Sequence, residues 1–117
     1  VGLTGVTDAD GLAVGRASGF VGGMMKPLLS GIFTVSDAKW YHYMRDALES
    51  ENVFLEPSAC AAFAGLAGLH TYKETRDYIR RHGSETKMAD APHIAWATGG
   101  SLVPQPIRDR YVNTYLD

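Results

Sequence analysis

Near the far end of the chain, Trp96-Ala97-Thr98-Gly99-Gly100 places one hydroxyl directly before two adjacent glycines. A threonine there can donate or accept one well-aimed hydrogen bond. Two residues without Cβ let the backbone run close against another group. The preceding His93-Ile94-Ala95 makes an apolar run stopped by glycine, the pattern of a buried strand giving way to a loop. A plain strand end with a turn fits the same residues. Glu56-Pro57 sets a carboxylate at a helix start, where the macrodipole favours negative charge; it reads either as a helix-start residue or as a site residue. Asp8-Ala9-Asp10-Gly11 reads as a loop.

Other chemistry is excluded by spacing. Gly19-Phe20-Val21-Gly22 and Gly65-Leu66-Ala67-Gly68 lack the flanks of a phosphate-binding loop. His42, His70, His82 and His93 are scattered without metal-ligand spacing. In Gly15-Arg16-Ala17-Ser18-Gly19 the serine stands one position away from a nucleophile elbow. A net charge of -2, from 11 basic and 13 acidic side chains, leaves no electrostatic footprint for nucleic acid. The single cysteine, Cys60, cannot form an internal disulfide, so a reducing cytoplasm is the expected setting.

The elements that must position these residues follow from periodicity and caps. Gly11, Gly15, Gly19 and Gly23 recur every four residues, so a helix over 12–29 would carry a smooth glycine groove. Each interior glycine costs up to about 1 kcal/mol relative to alanine, a cost that close backbone packing would offset. Arg16 and Lys26-Pro27 interrupt that run and argue against a membrane span. Gly31 ends it, and Ile32-Phe33-Thr34-Val35 has the β-branched character of a short strand. Ser36 or Asp37 caps a second helix with Trp40, Met44, Ala47 and Leu48 inward and Tyr41, His42 and Arg45 outward or towards a neighbouring surface. A third helix, from Ser58 to about Leu69, is apolar all round and therefore buried. Thr71-Tyr72-Lys73-Glu74 matches a capping box opening an exposed fourth helix through Arg81. Residues 82–90 read as a polar loop, and a last helix after Pro104-Gln105-Pro106 turns Ile107, Tyr111, Val112 and Tyr115 inward.

Two apolar strands among about five helices predict part of an open α/β sheet, as one unit over residues 1–117. So few elements cannot cover both faces of a sheet. Together with Val1-Gly2-Leu3-Thr4-Gly5, which reads like the interior of a longer protein, this predicts a fragment.

Three stretches in register carry a resemblance. Asp8-Ala9-Asp10-Gly11-Leu12-Ala13-Val14-Gly15-Arg16-Ala17-Ser18-Gly19, Phe54-Leu55-Glu56-Pro57-Ser58-Ala59 and Ile94-Ala95-Trp96-Ala97-Thr98-Gly99-Gly100 resemble the ADGLAVGRASG, LEPSA and VWATGG segments of bacterial D-serine dehydratases (D-serine ammonia-lyases). Looser forms of all three are shared with L-serine and L-threonine dehydratases, which stay open as a sister reading. Ser101 and Gly23 depart from the commoner spelling.

The resemblance implies a pyridoxal 5'-phosphate lyase of fold type II (tryptophan synthase β-like). This chain would be the C-terminal part of its large domain, with few parallel strands. D-serine would be converted to pyruvate and ammonia by α,β-elimination. The Schiff-base lysine and the phosphate loop would lie upstream, so Lys26, Lys39, Lys73 and Lys87 take no such role and the fragment alone would be inactive. Thr98 matches the hydroxyl residue that hydrogen-bonds the pyridine nitrogen, with Gly99 and Gly100 letting the loop pass the ring. Asp10 and Gly11 match a loop approaching the cofactor from another side, and Glu56 is left between site and helix start. The expected partners are D-serine and the rest of the same polypeptide, with no nucleic acid and no membrane. A stand-alone interaction module using exposed apolar faces is the competing reading.

Overall fold

The computed structural model describes residues 5–114. A short 3-10 turn, Asp10–Leu12, comes first. The α-helices follow as α1 (Gly19–Met25), α2 (Asp37–Glu51), α3 (Pro57–Thr71), α4 (Lys73–Arg81), α5 (Glu85–Ala89) and α6 (Gln105–Val112).

α2 and α3 form the central pair. Ser36 adopts the extended N-cap conformation ahead of Asp37, and Asn52 closes α2 in the left-handed conformation (φ 55°, ψ 35°). Its N–H donates to the Leu48 carbonyl at 3.0 Å. Asparagine tolerates that geometry because its short polar side chain bonds locally. Pro57 opens α3, where a missing N–H costs nothing. Ala9, Trp40, Tyr41, Met44, Leu55, Ala59 and Cys60 make the core, with Tyr43, Phe63, Tyr111 and Val112 packed around it. α6 lies against α2, α4 against α3, and the Asp10–Leu12 turn against α3.

The small residues of α3 have a structural use. A Cβ at Gly68 would stand 2.6 Å from the Phe33 ring and 2.9 Å from that of Tyr72. Those two rings stack with centroids 5.9 Å apart. The glycine is thus the seat on which residue 33 lands.

Several expectations are corrected. Among the described residues there is no strand: 31–36 and 91–100 carry no regular structure. Strand order needs a neighbour to complete its hydrogen-bond ladder, and here Ile32, Ile94 and Trp96 are each at least 80% exposed. The helix expected over 12–29 shrinks to Gly19–Met25, and every residue from 14 to 32 is exposed. The glycines at 15, 19, 22 and 23 meet nothing, so the close packing that would offset their cost is missing. Tyr41 is buried rather than outward, because a phenol can enter a core when its hydroxyl has a partner. Thr71 closes α3, donating to the Ala67 carbonyl at 2.9 Å, rather than capping α4. A short helix, α5, forms within the stretch read as a polar loop. α3, expected to be wholly buried, buries only one side. Tyr111 and Val112 do turn inward, Ile107 is 39% exposed, and Tyr115 lies outside the described residues. The radius of gyration, 16.0 Å, exceeds the value of about 13 Å for a compact chain of this size.

Candidate functional site

The three stretches singled out in the sequence meet at the N-terminus of α3. The Glu56 N–H donates to the Gly99 carbonyl at 3.2 Å, joining two of them directly. Gly100 has φ +144°, and a Cβ there would lie 2.7 Å from the Phe54 carbonyl oxygen, 2.8 Å from Leu55 Cα and 2.9 Å from Glu56 N. A Cβ on Gly99 would lie 2.7 Å from a Glu56 carboxylate oxygen. Gly100 is therefore demanded by the backbone of residues 54–56, whereas at Gly99 the Glu56 carboxylate could swing aside. On the other side, a Cβ on Gly11 would sit 3.1 Å from Ser58 Oγ, so the Asp10-Gly11 loop rests beside the first turn of α3.

These stretches border a cleft of about 310 Å³ lined by Asp8, Asp10, Glu56, Pro57 and Ser58 on one side. Leu102, Val103, Pro104, Ile107 and Tyr111 line the other. Thr98 is brought next to the cleft's rim without lining it. Its side chain is exposed and makes no hydrogen bond to any described residue. The hydroxyl is held on a fixed backbone and remains open to a ligand.

Fixing that backbone is the work of α6. Arg108 donates from Nε to the Val103 carbonyl at 2.7 Å and from a terminal nitrogen to the Ser101 carbonyl at 2.6 Å. Its guanidinium also lies over the Phe54 ring, 4.9 Å from the centroid. The Val103 N–H returns to the Gly100 carbonyl at 3.2 Å. The turn after Thr98 is thereby tied at four points.

The opposite wall is tied as firmly. Thr7 Oγ1 donates to Asp37 at 3.1 Å and accepts from the Ala9 N–H at 3.1 Å. The buried Tyr41 hydroxyl donates to the Asp8 carboxylate, and Arg110 reaches the other Asp8 oxygen at 3.3 Å. Burial raises the Tyr41 pKa well above the ordinary tyrosine value, and the Asp8 hydrogen bond and charge raise it further. Asp8 is thus the anchor of the strap and Asp10 its outward carboxylate, with no hydrogen bond among the described residues.

Sequence reasoning missed Asp8, Tyr41, Arg108 and Arg110. The arginines carry no local signal. Cys60 belongs to the core: it is fully buried, and burial with the nearby Glu56 charge pushes its thiol up to about 12. His70 and His93 do come together, their ring centroids 5.4 Å apart. No group of three or more His, Cys, Asp or Glu side chains among the described residues could hold a metal ion. Among the described residues no helix is long and apolar enough to cross a membrane.

No protein-family model matches the chain. Individual proteins do. The probable D-serine dehydratase of Fusobacterium nucleatum is 49% identical over 116 residues, which is 99% of this chain and 26% of that protein. Probable D-serine dehydratases of Bacillus mycoides and Bacillus cereus are 44% and 43% identical over 117 residues, 100% of this chain and 26% of each. The chain thus spans about a quarter of the length of the curated relatives it matches.

Proposed function

We propose that this chain is the C-terminal part of a D-serine dehydratase, a pyridoxal 5'-phosphate lyase of fold type II. In this reading it supplies one wall of the active site rather than the whole. The observation that carries the reading is a coincidence of likeness and geometry. Identity of 43–49% runs across all three motif stretches, and the fold brings those stretches to one end of α3.

The residues present suit the cofactor at one point. Thr98 offers an exposed hydroxyl without a partner among the described residues, on a backbone fixed through Gly99, Gly100 and Arg108. When bound, pyridoxal 5'-phosphate supplies the electron sink for a carbanion at the substrate Cα. Thr98 would hold the pyridine nitrogen. A hydroxyl can donate to that nitrogen without charging it, whereas a carboxylate would favour a proton there. By leaving that nitrogen uncharged, Thr98 would suit the site to loss of a β-hydroxyl, in keeping with α,β-elimination to pyruvate and ammonia. Asp10 and Gly11 would form the facing loop, and Glu56 would hold Gly99 in place through its backbone. Covalent attachment of the cofactor and phosphate binding would fall to the remaining three quarters of the polypeptide. The one thiol of this chain is buried, in keeping with a reducing cytoplasm.

The test is Thr98→Ala in a polypeptide of the relatives' full length. Pyruvate release from D-serine should fall at least tenfold while the far-UV circular dichroism is unchanged. Unchanged turnover would return Thr98 to a plain turn residue. Running D-serine against L-serine and L-threonine in the same assay separates this reading from its sister dehydratases.

A further inference from the structure

One segment is built for contact and has none. α1 and the residues after it expose Phe20, Val21, Met24, Leu28, Leu29 and Ile32 by 47–81%, and α1 packs on no other helix. Ser18 caps it, accepting from the Val21 N–H at 3.4 Å. A seven-residue helix is nonetheless far below the length of about 12–15 residues at which isolated helices become marginal. It draws no support from intrinsic propensity either, since it holds three glycines. Stability must come from packing against something else.

We propose that residues 18–32 dock on the part of the polypeptide that this chain lacks, the three quarters of its relatives' length lying outside the match. The inference rests on the reading of the chain as part of such a polypeptide. Its glycines at 19, 22, 23 and 31 face open space, leaving a backbone that another element can approach closely. The chemistry of the occupant follows from charge. Between Gly11 and Ser36 there is no acidic residue, while Arg16 and Lys26 make no ion pair with any described residue. The complement is an apolar surface with small side chains along the contact and carboxylates at its edges. A second copy of this chain fits badly, because a two-fold interface sets the same patch against itself and brings like charges together.

Hydrogen exchange read by mass spectrometry tests this, comparing the 117-residue chain with the complete polypeptide. Amides of residues 20–29 should exchange at least a hundredfold more slowly in the complete polypeptide. Equal, rapid exchange in both overturns the proposal. Slow exchange in the short chain that depends on its concentration overturns it in favour of self-association. An added Cβ at Gly22 or Gly23 meets nothing, so the double substitution Gly22→Leu, Gly23→Leu should not lower the short chain's melting and should remove the protection in the complete polypeptide. Should that variant not fold, Phe20→Ser with Met24→Ser should weaken the protection at least tenfold; retained protection overturns the proposal. Pyruvate formation from D-serine is scored separately. Protection without turnover leaves the docking standing and sinks the proposed activity, and turnover without protection does the reverse.

Discussion

Residues 14–32 and residues 54–71 are both rich in glycine and apolar side chains, yet only the second stretch is packed. In α3, Gly68 admits Phe33, Ala59 and Cys60 are buried, and Glu56 meets Gly99. In α1 and its flanks, comparable side chains stand in the open. The difference lies in partners rather than composition. Apolar area stabilises only when another surface removes it from water, and α3 finds α2 within the same chain.

Three substitutions sharpen that contrast. The largest effect belongs to Gly100→Ala. It combines a left-handed φ with three backbone atoms inside 3 Å, none of which can swing away. The expected loss is on the order of 3 kcal/mol, read as a lower urea midpoint. A midpoint within experimental error of the parent's would show that the turn is loose.

Tyr41→Phe comes next, removing a hydrogen bond to a carboxylate, at about 1.5 kcal/mol by the same assay. Its pH dependence has a defined sign. The folded protein keeps the phenol neutral to a higher pH than the unfolded chain does. Stability from this group is therefore complete below a pH of about 10, the unfolded value, and falls as pH rises beyond it. The Phe variant should lack that part of the alkaline decline.

The smallest effect is Gly23→Ala in this chain. Its new methyl meets nothing, so the midpoint should stay level or rise by up to about 1 kcal/mol. A marked loss would mean that α1 already has a partner.

The sequence made the paired helices legible because their signals are local: Ser36 and Asp37 at one start, Pro57 at the other, apolar spacing between. Strands at 32–35 and 93–97 were not settled by the same means, since their apolar pattern says nothing about whether a neighbouring strand exists. Tyr41 was misjudged for a related reason. Its position on α2 reads as a flank, and the group that lets a phenol be buried, Asp8, lies 33 residues away. At the site, Thr98, the two glycines, Asp10, Gly11 and Glu56 stood out by type. Nothing in their spacing revealed that Gly99 and Gly100 are fitted against Glu56, or that Arg108 and Arg110 pin both walls.

The walls of the cleft are closed by contacts between remote parts of the chain. Glu56 and Gly99 are about forty positions apart, and Asp8 and Arg110 are 102 apart. Pairing across such distances comes late, because the entropy of closing a loop must be met before the contact forms. The α2–α3 hairpin needs no such wait. During synthesis Asp8 and Gly11 meet Tyr41 and Ser58 once α2 and α3 are made, whereas Glu56 waits for Gly99 and Asp8 for Arg110. The cleft is accordingly the last feature to form and the first to open on partial unfolding.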